Sequence, residues 1–126
     1  VTMTMEGRIF DAIGALAEGN IKKAATNFFT LLKDGEDWAK MFGAVAFHFR
    51  GMVRVRSLLD LGFEKEQMRK ELGMHPFAVQ KTMGYVRGVN RDALTKTYQM
   101  IARADVALKT GKMTAEEFFE RLLLGV

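Results

Sequence analysis

The 126 residues include no cysteine, one proline (Pro76), two histidines (His48 and His75) and one tryptophan. Without cysteine there are no disulfides and no thiolate metal sites, and a cytosolic setting is the expectation. The histidines lie far apart, with no His-x-x-x-His spacing and no cysteine partners, so the pair does not form a zinc-type ligand set. His48 reads instead as a polar residue on a crowded helix. No apolar run approaches the roughly 20 residues a bilayer span needs, and no basic-then-apolar signal segment opens the chain. Sustained alternation of β-branched residues, the mark of strands, is missing too. Phosphate loops end in Gly-Lys-Ser/Thr. Here Gly111-Lys112 runs into Met113, with Val106 where the first glycine belongs. No nucleotide, metal, cofactor or small-molecule site is expected, and a catalytic protein is not.

What is present is helical. Hydrophobic residues make up 48% and charged residues 27%, the balance of one globular domain spanning 1–126, and the net charge of +4 comes without long Lys/Arg blocks. The opening Val1-Thr2-Met3-Thr4-Met5 reads as the start of a piece cut from a larger protein. Ile9, Ile13, Leu16 and Ala17 share one face of a first helix, which Gly19 ends. Asn20 caps a second, striped by Ile21, Ala24, Ala25, Phe28 and Leu32 and closed by Gly35. Asp37 caps a third, running to about Leu61 and spanning about 37 Å at the helical rise. A short helix follows over 64–72, another from Pro76 to about Arg87, and a sixth capped by Asn90 with Leu94, Tyr98, Ile101, Ala104 and Leu108 on its apolar stripe. Thr114 and Glu117 form a Thr-x-x-Glu capping box for a last helix facing inward through Phe118 and Leu122. The predicted fold is all-α: a compact bundle of about seven helices around one long central helix.

On the long helix, Met41, Phe42, Val45, Ala46, Phe49, Met52, Val53 and Leu59 fill an arc of roughly 140°. Phe47, Val55 and Leu58 fall outside it, so the helix is expected to be covered on more than one side. Lys40, Arg50 and Arg54 gather on the remaining strip, which suits solvent or a charged partner. Gly43 and Gly51 each cost about 1 kcal/mol in a helix interior relative to alanine, and close approach of a neighbouring helix is the expected offset. Arg56 projects inside the apolar arc, where it either snorkels or meets a partner.

The stretch KELGMHPFAVQK (70–81) is a corner. Gly73 ends one helix and Pro76 starts the next where a missing N–H costs nothing; His75 stands at the cap, and Phe77 is expected to pin the corner to the core. Met68, Leu72, Gly73, Met74 and Val79 also match the apolar frame of a helix-turn-helix over 64–88, with Gln80 and Lys81 as groove-facing candidates. Against that DNA-binding alternative, Arg69 occupies a position where close-crossing helices need a small residue, and Met83 falls one place late. Asp105 projects into the apolar arc of the sixth helix. A carboxylate there needs partners, with Lys109 one turn later the local one and a helix cap or an arginine of another helix the expected ones.

Four stretches in order, GRIFDAIGALAEGNIKKAATNF, AFHFRGMVRVRSLLDLG, KELGMHPFAVQK and ARADVALKTGKM, resemble the carboxy-terminal domain of the delta subunit of bacterial DNA polymerase III, the clamp-loader subunit. The resemblance spans nearly the whole chain. It implies a non-catalytic helical collar that joins clamp-loader subunits into a hetero-oligomeric ring in the bacterial cytoplasm. It implies DNA contact only indirectly through the complex, and no membrane partner. It also implies an AAA+-like region and clamp-opening contact elsewhere in the subunit, within a holoenzyme that is a DNA-directed DNA polymerase. By position, Phe49 and Arg50 match the family's Phe-Arg, His75, Pro76 and Phe77 its corner, and Asp105, Lys109 and Gly111 its sixth helix. None is catalytic in the family. Lys40, Arg50, Arg54 and Arg56 are the candidate subunit-interface residues, Gly73, His75, Pro76 and Phe77 the structural corner, and Asp105 with Lys109 a structural ion pair or cap.

Overall fold

Local chemistry sets where each helix begins. In the computed structural model, which describes residues 4–125, the Thr4 hydroxyl accepts from the Gly7 amide at 3.0 Å and opens α1 (Met5–Ala17). The Asn20 side chain accepts from Lys23 at the start of α2 (Ile21–Lys33), and Asp37 accepts from Ala39 at 2.9 Å to open α3 (Trp38–Asp60). At α4 (Lys65–Leu72) the Glu64 amide donates to Gln67 Oε1 at 2.8 Å. His75 Nδ1 accepts from Phe77 at 3.1 Å to cap α5 (Pro76–Arg87), and Asn90 accepts from Asp92 and Ala93 to cap α6 (Arg91–Lys109). Thr114 accepts from Glu117 at 3.1 Å to cap α7 (Ala115–Leu123). These seven helices, with no strand among the described residues, are the all-α bundle that the spacing predicts.

The bundle is organised around α3, which at 23 residues is about 34 Å long and packs against α1, α5 and α6. α1 and α2 form a hairpin on one side, and α7 closes the far end against α2 and α6. A train of phenylalanines ties that end together: Phe28 of α2 lies 4.9 Å from Phe119, Phe119 lies 5.1 Å from Phe118, and Phe118 lies 4.9 Å from Phe42 of α3. All four are buried, and such offset or edge-on pairs add about 0.5–1.5 kcal/mol beyond area burial. Close approach of helices does occur, at Gly14 rather than on α3. An added Cβ there would overlap the Tyr85 ring, so glycine is what lets α5 sit against α1.

α3 buries Met41, Phe42, Val45, Phe49 and Met52 as their periodicity predicts, and also Val55, which lies outside the arc. α1, α5 and α6 together wrap more than one face, and the strip they leave open positions the surface described next.

Candidate interaction surface

The uncovered strip of α3 carries Lys40, Gly43, Phe47, Arg50 and Arg54, all exposed. Phe47 is 65% exposed, a large apolar side chain standing among cations. No atom lies within 4 Å of a Cβ added at Gly43 or Gly51. Among the described residues no helix supplies the expected neighbour, since α1, α5 and α6 cover the other faces of α3. Lys40 and Arg54 make no ion pair among the described residues. Arg50 Nε donates to the Tyr98 hydroxyl at 3.2 Å, linking the strip to α6, and this bond raises the arginine pKa further above its ordinary value.

A groove runs along each side of the strip. On the α6 side, a groove of about 650 Å³ has Trp38, Ala46, Phe47, Tyr98 and Asp105 on its walls. Asp105 is half-buried there and pairs with Lys109 one turn along at 3.0 Å. The arginine of another helix, and the helix-cap role, are both corrected: at the rim of α6 the carboxylate keeps enough water that the local lysine suffices. On the α5 side, a groove of about 520 Å³ lies between α3 and the α4–α5 corner. It brings His48 and His75, remote in sequence, into one lining alongside Arg50 and Arg54. The His48 ring lies 4.7 Å from Phe10 and 5.5 Å from Phe47, and burial among these apolar surfaces holds its pKa below 6.5.

The corner forms where its residues predict, with Gly73 left-handed at φ 66° and its N–H bonded to Arg69 O at 2.9 Å. Phe77 does not pin it to the core. The ring is 63% exposed, since the inward positions of the first turns of α5 belong to Val79 and Thr82, both buried. Phe77 instead lies under the Lys81 ammonium, which sits 5.4 Å from its centroid and 5.7 Å from that of Phe10. Lys81 also reaches Asp11 at 3.8 Å, and Gln80 accepts from Lys65 at 3.0 Å. Both side chains suggested for reading a DNA groove therefore have partners inside the domain.

Arg56 is likewise engaged internally. One guanidinium nitrogen donates to Val86 O at 2.9 Å and Val89 O at 2.8 Å, and Nε donates to Asp60 at 3.3 Å. Asp60 in turn meets Arg91 at 3.3 Å. Val86 O, in the last turn of α5, already accepts from Val89 N at 3.2 Å, and Val89 O lies in the turn beyond the helix; Arg56 gives both carbonyls a charged donor. This corrects its place among interface candidates. Its position inside the apolar arc reflects a bridge from α3 to α5.

Phe10 and Phe47 are the surface residues that sequence reading misses. For Phe47 a signal existed: it falls outside the apolar arc, on the side where Lys40, Arg50 and Arg54 gather. For Phe10 there was none, since only the packing of α1 on α3 sets it beside His48. Among the described residues no cluster of His, Asp or Glu could hold a metal, and no helix is long and apolar enough to cross a membrane.

Residues 6–126 match the family model for the DNA polymerase III delta subunit, C-terminal domain. The chain belongs to this family. A delta relative, DNA polymerase III subunit delta of Bacillus subtilis strain 168, is 26% identical over 124 residues, or 98% of this chain and 36% of the relative. The solved structure of the DNA clamp loader delta protein of Bacillus subtilis superimposes with a TM-score of 0.89 at 26% identity, covering 98% of this chain and 37% of that one. The chain thus spans little more than a third of the delta proteins it matches, and over that matched part the fold is shared. The strip and grooves of α3 are accordingly features of a delta C-terminal domain.

Proposed function

We propose that this domain is a non-catalytic oligomerisation module, the collar piece of a clamp-loader delta subunit. It joins the other clamp-loader subunits into the ring that loads the sliding clamp during replication in the bacterial cytoplasm. The observation that carries this reading is the open strip of α3, where Phe47 is exposed and the space over Gly43 and Gly51 is empty. A helix surface with two open glycines and an exposed phenylalanine among cations suits close packing against another protein. Lys40, Arg50 and Arg54 would set orientation at its rim. The AAA+-like region and the contact that opens the clamp would belong to the remainder of the delta chain, and DNA would be met through the assembled complex.

The test is removal of residues 4–125 from the intact subunit, followed by mixing with the other clamp-loader subunits and light scattering after size exclusion. Loss of the subunit from the complex is expected. A shortened subunit that still co-elutes in full would overturn the reading.

A further inference from the structure

We propose that the groove between α3 and the α4–α5 corner seats an acidic, amphipathic segment of a neighbouring clamp-loader subunit. This rests on the reading that the domain joins such subunits, and it assigns the chemistry of one contact.

The first ground is charge. Arg50 and Arg54 line this groove beside the His48 and His75 imidazoles, and no carboxylate does. The α3–α6 groove carries Asp105 beside its cations, so the one-signed lining is particular to the corner side. Arg54 has no ion pair among the described residues, whereas Lys81 is held by Asp11 and two aromatic rings.

The second ground is what the cations surround. Leu72, Met74 and Ala78 give the groove an aliphatic floor, and about 520 Å³ is enough for several side chains. Gly51 on one wall has open space where a Cβ would be, which lets a backbone come close. Carboxylates on one edge of the incoming segment would face Arg50 and Arg54, and its apolar side chains would cover the floor.

A single-stranded nucleic acid fits less well. Successive bases stack on several free aromatic faces; here the Phe10 ring is already occupied by His48 at 4.7 Å, Tyr85 at 5.4 Å and the Lys81 ammonium, which leaves the exposed Phe47 as a single platform in the lining. Aliphatic groups on the floor give a sugar-phosphate chain nothing to bury.

This domain has no cysteine of its own, so a single one can be placed in the groove. An Ala78→Cys variant of the intact subunit, with any cysteine outside this domain replaced and a photoactivatable crosslinker attached, is assembled with the other clamp-loader subunits and irradiated, and the captured peptide is sequenced. In parallel, Arg54→Glu and Arg54→Lys are titrated with the partner subunits, with circular dichroism confirming the fold. The expected results are capture of a carboxylate-bearing amphipathic segment, at least tenfold weaker assembly for Arg54→Glu, and near-native assembly for Arg54→Lys. Capture of a basic or uncharged segment overturns the proposal, as does unchanged assembly of a folded Arg54→Glu subunit. If Arg54→Glu loses single-stranded DNA binding while assembly is intact, the groove belongs to nucleic acid and the proposal also falls. These outcomes are distinct from failure of the oligomerisation reading, in which deletion of the whole domain leaves assembly untouched.

Discussion

His48 shows how placement alters one residue. Packed beside Phe10 and Phe47, it has a folded-state pKa held below 6.5 by burial. Once unfolded, the imidazole regains its ordinary affinity for a proton, so below about pH 6.5 the unfolded chain binds more protons than the folded one. Stability from this group is complete above that pH and declines as the pH drops toward the folded-state value. In His48→Gln the decline should shrink, read as a smaller fall in melting temperature between pH 8 and pH 5; parallel curves for the two proteins would count against it. Phe77 makes the complementary point. Its aromatic character suggests the core, yet the position directly after Pro76 in the first turn of α5 faces outward, and the ring lies under Lys81.

At the scale of elements, the joints matter more than the helices. Each helix start carries a local cap, but the angle between α3 and α5 depends on Arg56, whose guanidinium holds Val86 O and Val89 O. Hydrogen bonds from a charged group to neutral carbonyls are worth about 1.5–3 kcal/mol when buried. The Arg56 side chain is 26% exposed, so solvent screening takes part of that away. Arg56→Met keeps the apolar stem and removes the donors. It should lower unfolding free energy by about 1–2 kcal/mol in urea titration, with faster amide exchange at the end of α5. A variant with unaltered exchange there would show that the bridge does not hold the joint. Asp105 and Lys109, by contrast, form a rim pair within one helix, of the kind worth only a few tenths of a kcal/mol.

For the whole molecule, two phenylalanines separate folding from assembly. Phe118 is fully buried in the train that ties α2, α3 and α7, whereas Phe47 stands 65% exposed on the open strip of α3. Phe118→Ala should cost about 3–5 kcal/mol of stability. Phe47→Ser should alter stability by no more than about 0.5 kcal/mol while weakening association with the other clamp-loader subunits; equal losses of stability in the two variants would contradict this division. The sequence by itself determined the helices, their order and their ends, because a cap such as Asn20, Asp37, Asn90 or Thr114 acts within three residues and an apolar stripe is visible at its own spacing. It also marked Lys40, Arg50 and Arg54 as one strip, since a single helix fixes that geometry. The tertiary structure alone decided which strips are covered: it buried Val55, left Gly43 and Gly51 open, turned Arg56 inward onto α5 and brought His48 and His75 to one groove. Contacts between helices depend on where each chain segment returns in space, and no local spacing of residues encodes that return.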